Sequence, residues 1–174
     1  TGAQLICPST VPTGGGGGSP IVDETLSVDS VVLDNSYALT TPAVTGSETL
    51  TLTPTSTPAL GIAETAGSSS IVPSTTTLTV HLGGAQEWAV ATGSVLTEDA
   101  PFSGSSDLVF GDVTNSGLVV VPTASPSFGG QITVDSSFVE VESAQAFDDA
   151  PITLTGTSPE LTIHNTGTPI SFPD

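Results

Sequence analysis

The residues that could carry chemistry in this chain are few. His81 and His164 are its two histidines, and Cys7 is its one cysteine. His81 ends the alternating run Leu78-Thr79-Val80, and His164 ends Leu161-Thr162-Ile163. Alternation places both imidazoles on the polar faces of strands. Zinc needs three or four ligands in tetrahedral array, and neither histidine has a second ligand at a metal-binding spacing along the chain. Ser and Asp are abundant, so a triad with a histidine can be drawn in many ways and none is singled out. No G-x-S-x-G, H-E-x-x-H or C-x-x-C-H motif occurs. Both histidines therefore read as surface residues, and the chain reads as a non-enzyme.

Two acidic pairs stand out. Glu98-Asp99 and Asp148-Asp149 each precede Ala-Pro and the start of a strand. Adjacent carboxylates repel, and there is no Lys or Arg to neutralise them. They either stay solvated in turns or hold a cation. Ca²⁺, which takes six to eight oxygen ligands, is the cation that Glu98, Asp99, Asp148 and Asp149 would suit, although no EF-hand spacing is present. No other cofactor is implied. A glycosidase pair fits poorly, because sugar platforms need aromatics and the chain has Trp88, Tyr37 and 6 Phe.

The charge balance excludes more than it suggests. Across 174 residues there are 18 Asp and Glu against no Lys or Arg, a net charge of −18. An average chain of this length carries roughly 20 basic residues. Phosphate-backbone binding to nucleic acid, attraction to anionic lipid and Arg-clamped phosphoryl transfer all lack their side chains. Trypsin-like proteases find no cleavage site. No apolar run reaches the length of a membrane span. A start at Thr1, without Met, suits a processed N-terminus. Together these point to an extracellular, protease-resistant protein.

The elements that would position these residues are strands. Hydrophobic residues make up 36% of the chain, too many for disorder. Ser and Thr number 51, and 19 Gly and 14 Pro supply turns. Alternation marks Thr49–Thr53, Thr77–Leu82, Phe138–Glu142, Ile152–Thr155 and Leu161–His164 as strands, and Ser30–Asp34 is a candidate. Further candidates are Ile21–Val28, Tyr37–Thr41, Glu87–Ala91, Asp107–Val113, Leu118–Val121, Gln131–Asp135 and Ile170–Phe172. Gly83-Gly84, Asn115-Ser116-Gly117, Gly129-Gly130 and Asn165-Thr166-Gly167 mark turns between them. About a dozen short strands at this spacing predict an all-β fold, a two-layer antiparallel β-sandwich or jelly roll over residues 21–174. Leu78-Thr79-Val80-His81 echoes Leu161-Thr162-Ile163-His164, and Glu98–Phe102 echoes Asp148–Ile152. The two offsets differ, so no single duplication explains both.

Residues 1–20 differ in character. An apolar patch of Leu5, Ile6, Cys7 and Pro8 leads through Val11 to Gly14, Gly15, Gly16, Gly17 and Gly18. This reads as an arm on a glycine hinge, either folded back on its own domain or docked on a neighbouring subunit. Leu5, Ile6, Cys7 and Val11 would form the docking face. In the arm, Cys7 is either a buried small apolar side chain or a disulfide partner across subunits. The layout resembles extracellular filament and pilus subunits that lend an N-terminal strand to the next subunit. The resemblance implies a homopolymeric filament whose partner is a second copy of the chain. A viral or phage jelly-roll capsid or decoration protein, and a carbohydrate-binding or adhesin module, are the alternatives.

Overall fold

The structure is a computed structural model. It describes residues 3–7, 21–22, 24–34, 36–41, 46–56, 58–74, 77–143 and 145–164. The candidate strand Ile170–Phe172 and the turn at Asn165 lie outside these residues.

The chain winds as a series of short strands around a common axis, and every strand pairing among the described residues is parallel. It forms a β-solenoid of about 6 turns. Sheet A stacks β1 (Gln4–Cys7), β3 (Ser30–Asp34), β6 (Leu60–Ala66), β9 (Gln86–Val90), β12 (Leu108–Phe110), β15 (Ile132–Asp135) and β17 (Ile152–Thr155). Sheet B stacks β4 (Ala38–Thr40), β7 (Ser68–Val72), β10 (Val95–Glu98), β13 (Leu118–Val121), β16 (Phe138–Val141) and β18 (Glu160–Ile163). Sheet C stacks β2 (Leu26–Val28), β5 (Ser47–Leu52), β8 (Thr77–Leu82), β11 (Phe102–Gly104) and β14 (Ser127–Phe128). Each rung runs C, A, B and then climbs to the next.

The antiparallel sandwich and jelly roll expected from the sequence are therefore wrong. Period-2 alternation puts side chains on alternate faces whatever the direction of the neighbouring strand, so it cannot tell a hairpin from a coil of parallel strands. The turns at Gly83-Gly84 and Gly129-Gly130 bend the chain round the corner from sheet C to sheet A. The turn at Asn115-Ser116-Gly117 does so from A to B. None of them reverses it. The strand faces themselves are as expected: Leu50, Leu52, Leu78, Val80, Leu82, Val139 and Val141 are all buried.

Inward side chains stack in columns up the axis. On sheet A one column runs Leu5, Val31, Ile62, Trp88, Phe110, Val134, Leu154. Its members are 26, 31, 26, 22, 24 and 20 residues apart, because loops at the corners differ in length. Trp88 packs edge-on against Phe102 and Phe110 at 5.8 and 5.7 Å between centroids. Phe147 closes the last rung, where a turn over residues 145–149 replaces a sheet C strand, and contacts Phe102 and Phe110. Dispersion and apolar burial across the rungs hold the coil together.

The A-to-B corner has a recurrent chemistry. In successive rungs it carries Ser36, Gly67, Gly93, Gly111, Ser136 and Gly156, all with positive φ. The left-handed conformation turns the chain sharply, and glycine adopts it without steric cost. Gly111 has a second constraint. A Cβ there would lie 2.5 Å from Ser137 Cβ and 2.7 Å from Asn115 O.

Candidate functional site

The outer faces of the three sheets hold the polar chemistry. On sheet B, Val139 and Val141 point inward, so Glu140 and Glu142 point out. The neighbouring strand β18 pairs Glu140 with Thr162, which brings His164 level with Glu142. His164 N–H donates to Val141 O at 2.8 Å and holds the residue in register. His164 Nδ1 lies 2.7 Å from Glu140 Oε1. Glu140, Glu142 and His164 each offer one ligand atom within 4.8 Å of the others, and these three could hold a metal ion.

The carboxylates singled out in the sequence are arranged differently. Glu98 points into the core and is fully buried, while its neighbour Asp99 points out and accepts from Thr123 Oγ1 at 2.7 Å. Asp148 and Asp149 lie exposed in the turn two rungs further on. Alternation thus separates Glu98 from Asp99, and the solenoid places the second pair at another height. Of the arm, Leu5 and Ile6 lie on β1, which pairs with β3 of the same chain, and Leu5 packs against the core while Ile6 is 57% exposed. Cys7 ends β1. Val11 and Gly14 to Gly18 lie outside the described residues.

Sheet A carries a shallow cavity of about 360 Å³, bounded by Pro58, Ala63, Glu87, Ala89, Asp112 and Asn115. Asp112 Oδ1 accepts from Thr114 N at 2.6 Å, Thr114 Oγ1 at 2.7 Å and Asn115 N at 2.7 Å. Partial burial pushes Asp112 up, but these hydrogen bonds outweigh it and hold its carboxyl below the usual range. Glu87 is pushed up to about 7, first by burial and then by the Asp112 and Asp135 charges. One carboxyl of the pair is thus disposed to keep its proton and the other to lose it.

Sheet C presents hydroxyls. His81 Nδ1 lies 3.1 Å from Ser103 Oγ on the adjacent strand. Ser103 also borders a cavity of about 530 Å³ with Thr79, Pro101, Phe102, Pro126 and Ser127. No carboxylate contacts His81 among the described hydrogen bonds, so an orienting acid of the kind a triad requires is missing there.

Two acids lie inside the coil. Glu64 stacks between Leu33 and Val90, and Glu98 pairs with Ile71. Neither carboxyl has a hydrogen bond of good geometry among the described residues, although the Ser69 hydroxyl lies near Glu64 and the Ala100 N–H near Glu98. Burial pushes Glu64 up to about 7, opposed by the nearby Ser69 hydroxyl and reinforced to a lesser degree by Asp34. Burial pushes Glu98 well above the ordinary range, opposed by the Ala100 N–H and reinforced by Asp99. A buried carboxylate without a cation is costly, so both carboxyls hold their protons to higher pH than an exposed glutamate does.

No signal short of the rung register would have found the Glu140, Glu142 and His164 group. The residues are 22 to 24 positions apart, which is one rung, and only parallel pairing turns that distance into adjacency. Compared with known proteins, the chain matches no family model, no curated protein and no solved structure.

Proposed function

We propose that this chain is a non-catalytic structural subunit of an extracellular homopolymeric filament, built by stacking solenoids end to end. The observation that carries the reading is the state of the coil's two ends. At one end Leu5 on β1 is only half-buried, although Val31 and Ile62, the next members of its inward column, are fully buried. Leu154 on β17 is 50% exposed at the other, although it belongs to an inward column. Terminal strands also present unpaired N–H and C=O groups, a template for another chain. The occupant that fits is a second copy, because β17 of one subunit and β1 of the next would continue sheet A as a parallel ladder. Such a head-to-tail contact does not close and gives a fibre. β1 would then serve both as the first rung of its own chain and as the docking strand for its neighbour.

Subunits carrying −18 repel one another. Stacking should strengthen with salt or Ca²⁺, which acts here by neutralising carboxylates. The test is negative-stain microscopy with sedimentation analysis over rising salt and Ca²⁺. Fibres one solenoid wide are expected from the native chain. Leu5→Asp, Leu154→Asp or deletion of residues 1–13 should leave β-sheet circular dichroism and abolish fibres. Native protein that stays monomeric throughout, or fibres that survive all three changes, would overturn the proposal.

A further inference from the structure

We propose that Glu140, Glu142 and His164 form a binding site for one divalent transition-metal ion of the Zn²⁺ or Co²⁺ class. The geometry is on adjacent strands of a regular sheet. Glu140 on β16 and Glu142, one residue past its end, share the outer face, fixed by the buried Val139 and Val141 that alternate with them. His164 is tied to the same height by its backbone bond to Val141. The donor atoms already lie within 4.8 Å of one another, and one pair is at 2.7 Å. Rotation of the glutamate side chains about a central ion completes three ligands and leaves a position for water. That is the ligand count of an open zinc site.

The donor set decides the class of ion. One imidazole nitrogen with two carboxylates suits Zn²⁺, Co²⁺ or Ni²⁺, whereas Ca²⁺ and Mg²⁺ take oxygen ligands and more of them. The surroundings favour any cation. Glu160 lies on the same outer face and accepts from Thr162 Oγ1 at 3.1 Å. The chain contains no Lys or Arg to compete for these carboxylates. Without a metal, the same three residues would make only an exposed histidine–carboxylate pair, with His164 55% exposed, a contact of slight energetic weight. The site does not depend on filament assembly, since all three residues belong to one chain.

The experiment is Co²⁺ and Zn²⁺ titration of the native chain at pH 7.5 in low salt, with Ca²⁺ in excess to occupy diffuse carboxylate sites. One ion per chain is expected, with the intense visible absorption of low-coordinate Co²⁺. His164→Ala and the pair Glu140→Gln with Glu142→Gln should each weaken binding at least tenfold, the lower bound seen when even outer-sphere partners are lost. His81→Ala should leave binding unchanged. All of these positions lie on outer sheet faces, exposed or half-buried, and unchanged circular dichroism will verify folding. The proposal is overturned if Ca²⁺ displaces the metal at similar concentration, if the Co²⁺ spectrum remains that of the aquo ion, or if His81→Ala weakens binding as much as His164→Ala.

Discussion

Replacing Glu64 with Gln should stabilise this protein at alkaline pH and do nothing at acid pH. Glu64 occupies an aliphatic column between Leu33 and Val90, with neither oxygen in a hydrogen bond of good geometry. Its carboxyl titrates at about 7 in the folded chain, against 4.5 as the ordinary value. At 1.36 kcal/mol for each tenfold change in proton affinity, ionising it costs the fold about 3 kcal/mol. Local relaxation and water entry reduce this, so about 2 kcal/mol is the working figure. The sign follows from proton counting. Between 4.5 and 7 the folded chain holds the proton and the unfolded chain has lost it, so stability falls as pH rises. Below 4.5 both states are protonated and the penalty is absent; above 7 it is complete. Glu64→Gln keeps the shape and never ionises. Urea unfolding followed by circular dichroism, at pH 4 and pH 8, measures the difference through the midpoint at unchanged slope. Equal midpoint shifts at the two pH values, or a lower midpoint for the variant at pH 8, would refute the assignment of Glu64 as a buried acid of raised proton affinity. Glu98→Gln should behave alike, since Glu98 is fully buried and raised in the same direction.

Gly111→Ala should cost about 2–4 kcal/mol in urea titrations, combining a left-handed backbone with overlap against Ser137. Trp88→Ala should cost about 3–5 kcal/mol and broaden the near-ultraviolet dichroism, because the aromatic stack with Phe102 and Phe110 loses its centre. Asp112→Ala should lose about 1–3 kcal/mol at pH 7 by leaving Thr114 and Asn115 donors unpaired. That loss should shrink as pH falls through the depressed Asp112 titration, where the native carboxylate is itself neutralised. Glu87→Gln should stabilise by about 1 kcal/mol at pH 8 and negligibly at pH 4, as its carboxyl titrates near 7 and is only half-buried.

Much of the local structure was readable from the residues. Thr77–Leu82 and Leu118–Val121 form strands with the bounds expected, and the faces expected inward are buried in Thr49–Thr53, Thr77–Leu82 and Phe138–Glu142, whereas Leu154 in the last rung is exposed. β7 was missed because Ser68, Ser69 and Ser70 hide its pattern, although Ser69 and Ile71 point inward. β6 and β10 were missed for a different reason: Glu64 and Glu98 stand at core positions, and a carboxylate there reads as solvent-facing. Strand direction was invisible, since alternation is the same in parallel and antiparallel sheets. The corner residues gave no regular period either. Two of the left-handed positions are Ser36 and Ser136, which look like any other serine in a chain rich in them. The candidate calcium pairs were adjacent in sequence, but adjacency on a strand places neighbours on opposite faces. The group that does converge is spread over two strands.

The left-handed corner has an evolutionary consequence. Gly67 and Gly93 occupy the same corner one circuit apart, and Ser68 pairs directly with Val95. Excising residues 68–94 would deliver the chain from Gly67 straight into Val95, which pairs with Ser68, so sheet B would stay in register. The molecule would shorten by one strand spacing, about 4.8 Å, while each remaining circuit kept a neighbour above and below. Duplication of the same stretch would lengthen it by that amount. A lineage of such proteins could therefore change length by whole circuits, with corner glycines as the points of crossover and without a new core to solve.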